Sequence, residues 1–126
     1  MIKSYLDLEI YKVSMQLFIE THQLTQRLPK FELYELGSQI RRSSESIVTN
    51  IVEGYGRRYY KQEFIKFLVY SEGSCLETKC HFEKILSLYP ELIEGGRQLL
   101  NRYEQLGRMI FKFKQYVQKN WKTNNQ

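Results

Sequence analysis

At 126 residues the chain fits one domain with room for a hydrophobic core. Nineteen Lys and Arg against fourteen Asp and Glu give a formal charge of +5, which favours polyanionic partners but is common among proteins that bind none. No apolar run approaches the ~20 residues needed to cross a bilayer, and Met1 to Ile10 lacks the basic start and long apolar stretch of a signal peptide, so a cytoplasmic protein without membrane contact is expected.

The first amphipathic segment runs from about Asp7 to Leu28 and carries two seams at helical spacing. One holds Leu8, Tyr11, Met15, Phe18, His22 and Thr25; the other holds Ile10, Ser14, Leu17, Thr21, Leu24 and Leu28. Pro29 is expected to end it. The second segment, from about Glu32 to Glu53, has a core stripe of Leu36, Ile40, Ser43, Ile47, Ile51 and Gly54. Beside it runs a polar line of Gln39, Arg42, Ser46, Asn50 and Glu53, poorer in Lys and Glu than a solvated face usually is. That composition predicts a hydrogen-bonded network within the bundle or between subunits. Gly54 and Gly56 are expected to stop the helix by adopting the left-handed conformation.

The third segment follows Arg57-Arg58 and repeats apolar and small residues in alternating steps of four and three: Phe64, Leu68, Ser71, Cys75, Thr78, Phe82, Ile85 and Tyr89. Gly73 points away from that line. A glycine inside a helix costs about 1 kcal/mol relative to alanine, which suggests a second contact face made of Tyr70, Gly73, Ser74 and Glu77. Pro90 suits a helix first turn, so the fourth segment begins there and continues through Leu99, Tyr103, Leu106, Ile110, Phe113 and Val117 to about Trp121, with fraying or a kink open at Gly95-Gly96. The tail from Lys122 to Gln126 reads as disordered. Short connections between long helices predict an all-α, antiparallel, up-down-up-down four-helix bundle.

The pattern Gln39, Arg42, Ser46, Ile47, Asn50, Ile51, Glu53, Gly54, Gly56 and Arg57 resembles that of the four-helix-bundle family of 23S rRNA intervening-sequence proteins. The likeness extends to Asp7-Leu8-Glu9, Pro29, Glu63-Phe64-Ile65, Phe67-Leu68, Gly73-Ser74, Glu77 and Leu106-Gly107-Arg108-Met109. Tyr59-Tyr60 departs from it, since many members place a small capping hydroxyl there. The resemblance implies a homo-oligomer, a pentameric ring above all. It also implies a link to ribosomal RNA genes, and more distant bundles of similar build assist reverse transcriptases.

Catalytic and metal chemistry find little support. A di-iron bundle site needs two Glu-x-x-His motifs, but Ile19 precedes His22 and Thr78 precedes His81. His22 reads as a hydrogen-bonded core residue and His81 as a surface or interface one. Gly54-Tyr55-Gly56 is too short for a phosphate loop, and Cys75 and Cys80 point about 140° apart on a helix, as reduced structural thiols. No metal, cofactor or enzyme activity is expected.

Two basic features remain. Arg57, Arg58 and Lys61 interleave with Tyr55, Tyr59 and Tyr60, with Arg42 upstream, and pair guanidinium groups for phosphates with rings for unpaired bases. Such a turn is equally able to pack its tyrosines on the bundle end and pair its arginines with Glu53 and Glu63. Arg108, Lys112, Lys119 and Lys122 fall within about 80° on the fourth helix and form a secondary stripe; cations near a helix C-terminus also complement its dipole. The expected function is a non-enzymatic oligomeric module that binds nucleic acid, RNA first and ribosomal RNA among the candidates, with room for a protein partner. The alternative is a structural or protein-binding homo-oligomer.

Overall fold

Four helices form where the apolar repeat runs in three- and four-residue steps: α1 (Glu9–Thr25), α2 (Leu36–Gly56), α3 (Lys61–Leu88) and α4 (Ile93–Asn120). Short 3-10 turns at Tyr5–Asp7, Lys30–Tyr34 and Pro90–Leu92 precede α1, α2 and α4. The structure is a computed structural model that describes residues 2–122, the side chain of Ile93 apart, and among the described residues there is no strand. Of the expected disordered tail, only Lys122 lies within the described residues.

Cross-helix pairs give the directions. Between α2 and α3, Ser43 meets Thr78, Ser46 meets Ser74, and the Ile47 carbonyl accepts from Ser71, so one number rises as the other falls. The same inverse order joins α3 to α4 through Glu72 with Lys114, Cys75 with Tyr103 and Glu83 with Arg97. Between α1 and α4 the pairs are Glu20 with Arg102 and Thr21 with Tyr103, while Leu24 faces Gly95. These partners are antiparallel, as an all-α bundle with short connections requires.

The core takes the third segment's line whole from Phe64 to Ile85, with Tyr103, Leu106, Ile110 and Val117 from α4. In α1 it takes the seam of Ile10, Ser14, Leu17, Thr21 and Leu24, whereas the other seam is buried at its ends, Leu8 and Thr25, and half-buried at Tyr11, Met15 and Phe18 between them. His22 is exposed, edge-on to Phe18 at 6.1 Å, and is not the core residue the sequence suggested. His81 reverses the other way: it is buried on the flank of α3, with Nε2 3.2 Å from Glu77 Oε2.

Buried hydroxyls are paired, which spares the roughly 1–3 kcal/mol that an unsatisfied group costs. Tyr103 Oη lies 2.7 Å from Thr21 Oγ1 at the centre of the molecule, and burial raises its phenol well above the usual range. Cys75 donates its thiol to the Tyr103 carbonyl at 3.3 Å, and burial pushes that thiol up to about 11, which fits an inert structural cysteine.

Gly54 and Gly56 do not terminate α2 by a left-handed turn. Both are helical, no residue has positive φ, and the end is made by the Arg57 N–H bonding back to Glu53 and Gly54 carbonyls. What Gly54 supplies is contact: a Cβ there would stand 3.1 Å from Phe67 Cβ and 3.2 Å from Phe64 Cδ1. Gly96 does the same for α4, where a Cβ would stand 2.6 Å from Leu86 Cδ2, and α4 runs unbroken through Gly95-Gly96. The first helix stops at Thr25, short of Pro29, in successive 3-10 bonds from Gln26, Arg27 and Leu28. The second begins four residues later than Glu32, because tertiary contacts claim the connection. Arg41 donates to the Leu33 carbonyl and Thr25 Oγ1, and buried Glu32 accepts from Tyr89 Oη at 2.6 Å.

Candidate nucleic-acid interface

The turn between α2 and α3 is short and basic, and its geometry separates the residues that the sequence grouped. Arg57 is neutralised: Nε lies 3.4 Å from Glu53 and Nη1 3.3 Å from Glu63, with the guanidinium 4.8 Å from the Phe67 ring centroid. Arg58 is held without a carboxylate. Its guanidinium lies 4.1 Å from the Tyr55 centroid and 4.9 Å from that of Tyr59, and Nη1 donates to the Tyr55 carbonyl at 3.0 Å. Stacking of this kind orients the fork and leaves further N–H groups for an anion.

Of the three tyrosines, Tyr55 belongs to the core, 6% exposed and edge-on to Phe64, so its ring is not open to a base. Tyr59 and Tyr60 are 54% and 64% exposed. Tyr60 occupies the N-cap of α3 without a side-chain cap bond, and its carbonyl accepts from Glu63 and Phe64 instead. Lys61 opens α3, half-buried.

Trp121 brings in the end of α4. Its Nε1–H donates to the Arg58 carbonyl at 3.1 Å and its ring meets Phe64 edge-on at 5.1 Å, with Tyr116 beside it at 6.5 Å. Two basic features separated by about sixty residues of sequence thus share one end of the bundle: Arg58 and Lys61 from the turn, Lys119 from the last turn of α4 and Lys122 just past its end. Among the described residues none of these four takes part in an ion pair. Arg108 and Lys112 lie further along α4, beside α3. Tyr116 and Trp121 were not read as site residues from sequence. The signal was present in Trp121, the one tryptophan, four residues beyond Val117 on the core line.

The polar line of α2 also divides. Ser46 lies 2.8 Å from Ser74 Oγ, and Asn50 Nδ2 donates to the Ser46 carbonyl and hydroxyl at 2.9 and 3.0 Å. Gln39, Arg42 and Glu53 are exposed. The α3 residues that complete the seam are Ser71, which donates to the Ile47 carbonyl, and Thr78, which donates to Ser43 Oγ. Ser74 therefore faces α2, while Tyr70, Gly73 and Glu77 stay outward and a Cβ at Gly73 would meet nothing within 4 Å.

The sequence model of the family described as 23S rRNA-intervening sequence protein matches residues 6–112, from before α1 into the last third of α4. The chain belongs to that family. No curated protein matches it. The family match takes in the whole α2–α3 turn and stops before Trp121, so the tie between Arg58 and Trp121 joins a part inside the match to one outside it. Among the described residues no helix is long and apolar enough to cross a membrane, and no three or more His, Cys, Asp or Glu come together to grip a metal ion.

Proposed function

We propose that this member of the family is a non-enzymatic RNA-binding module that works as a homo-oligomer and grips RNA with the bundle end formed by Arg58, Lys61, Lys119 and Lys122. The observation that carries the reading is the Trp121–Arg58 tie, which brings four cations that form no ion pair among the described residues to the same end as two exposed tyrosines. Cations alone would suit any polyanion. Exposed rings next to them favour RNA with unpaired bases, which stack on aromatic faces while phosphates meet Arg and Lys. In an oligomer the end is repeated, and several weak contacts reinforce one another when one RNA spans them.

Fluorescence anisotropy with a stem-loop RNA and with a fully paired duplex, each across a salt series, tests this. Binding that weakens steeply with salt and prefers the loop is expected, since the logarithmic slope counts phosphate contacts. Arg58→Gln with Lys61→Gln should flatten that slope, whereas Arg57→Gln should change it little because Arg57 already serves two carboxylates. No binding to either RNA at low salt would sink the reading in favour of a structural or protein-binding oligomer.

A further inference from the structure

A groove of about 380 Å³ lies between α3 and α4, lined by Lys79, Glu104, Gly107, Arg108, Phe111 and Lys112. A second, of about 240 Å³, shares Lys79 and Gly107 and extends it past Leu76 to Glu72. The walls are apolar and prominent: Leu76 is 66% exposed on one side and Phe111 47% on the other. Lys114 fixes one of them. Its ammonium bonds to Glu72 at 2.6 Å and lies 5.1 Å from the centroid of Phe111, which holds the ring in place before anything docks.

Gly107 makes the floor. A mid-helix glycine costs roughly 1 kcal/mol against alanine, and at Gly54 and Gly96 neighbouring side chains fill the space a Cβ would take, Phe67 and Phe64 at the first and Leu86 at the second. At Gly107 they do not, because a Cβ would stand at an ordinary 3.7 Å from Cys75 Sγ. The missing side chain serves the space above. Around that space stand Lys79, Arg108 and Lys112, and no ion pair among the described residues includes any of them; Glu104 is the larger groove's one acidic lining residue.

We infer that this groove docks an acidic amphipathic α-helix of a protein partner. Apolar residues at i, i+3 or i+4, and i+7 would lie over Gly107 between Leu76 and Phe111, and flanking carboxylates would face Lys79, Arg108 and Lys112. From Glu104 to Lys112 the groove spans about 12 Å of helix axis at 1.5 Å per residue, room for two turns of such a helix. A second copy of this chain fits less well, since its +5 charge meets a positive rim. RNA fits less well too, because Lys114 covers one face of Phe111 and the opposite wall, Leu76, offers a base no ring to stack on. The surface is distinct from the bundle end: Lys119 lies roughly 10 Å beyond Lys112 along α4.

The test is anisotropy of the full chain with a fluorescein-labelled helical 14-mer carrying Leu at positions 1, 4, 8 and 11 and Glu on its flanks, against a twin with Lys in place of Glu. The acidic peptide should bind at least tenfold tighter than its twin. Arg108→Glu with Lys112→Glu should reverse that order, and Gly107→Leu, which fills the floor, should weaken the acidic peptide tenfold or more while circular dichroism stays unchanged. If Gly107→Leu fails to fold, the exposed charge-reversal pair decides alone. Equal binding of the twins, or no effect of the charge reversal, overturns the inference. A charge-reversed variant that changes its mass by light scattering would make the groove a contact between copies, and one that loses RNA binding while keeping peptide binding would make it an RNA surface; either result overturns it.

Discussion

The indole N–H of Trp121 donates to the main-chain carbonyl of Arg58 at 3.1 Å, and this single bond joins the end of α4 to the turn between α2 and α3. It pins a carbonyl that no helix claims, directly on the residue whose guanidinium is stacked between two tyrosines. Trp121→Phe keeps most of the ring contact with Phe64 and removes the donor. The expected cost is about 1 kcal/mol of stability, read by urea denaturation. If the bundle end binds RNA, the same change should lower affinity several-fold without altering either the helix content or the number of charges. Unchanged affinity would separate the α4 cations from the site.

The seam between α2 and α3 is held by hydroxyls, and Thr78 is its hub: Oγ1 lies 2.8 Å from both Ser43 Oγ and the Ser74 carbonyl, which share its one proton. Thr78→Val keeps the shape and removes the hydroxyl. A loss of about 1–2 kcal/mol is expected, because buried acceptors on two helices lose a partner. A double-mutant cycle with Ser43→Ala should return a coupling of about 0.5–1 kcal/mol. Strict additivity would show that the two hydroxyls are satisfied independently.

The helices and the α3 core line were legible because one apolar stripe at a period near 3.5 residues admits one buried face, and Phe64 to Ile85 has no rival stripe. In α1 two stripes compete, and the choice between Leu17 and Phe18 is made by Tyr103, which offers a hydroxyl to Thr21 from 82 residues away. No local pattern carries that. His22 was misplaced for the same reason, because it sits on the stripe that stays outside at that point. Gly54 was read by its freedom to turn when its use is the space it leaves for Phe64 and Phe67, a partner visible only after α3 is laid against α2. In the site, the tyrosine and arginine cluster was legible from composition, but which members are open was not. Glu53 and Glu63 take Arg57, and the core takes Tyr55, through contacts made across the turn.

At the other end of the bundle, Tyr89 donates to the buried carboxylate of Glu32 at 2.6 Å, and that bond raises the phenol to about 12. A phenol whose folded pKa lies above its unfolded value of 10.0 contributes stability that is full below pH 10 and is lost as pH rises through 12. Tyr89→Phe should therefore be less stable than the parent at pH 8, with the gap closing between pH 10 and 12. Thermal melts across that range check it. A gap that stays constant to pH 12 would mean that the bond does not couple to ionisation.

The glycines give the last prediction, because two of them stand on opposite sides of one question. Gly54 is closed in by Phe67 Cβ at 3.1 Å, whereas nothing lies within 4 Å of a Cβ at Gly73. In a chain that stays single, Gly73→Ala should stabilise by roughly 0.5–1 kcal/mol through helix propensity alone, and Gly73→Leu should be harmless. In an assembly whose copies approach along Tyr70, Gly73 and Glu77, a leucine there holds the helices apart. We expect the second outcome: Gly73→Leu should keep its helical circular dichroism and drop to single-chain mass by light scattering, while the parent runs as an oligomer. Gly54→Leu should instead unfold or lose about 3 kcal/mol or more, since overpacking strikes inside the bundle. A parent that is a single chain at tens of micromolar, roughly where weak oligomers dissociate, or a Gly73→Leu variant with unchanged mass, would remove α3's outer face from any account of assembly.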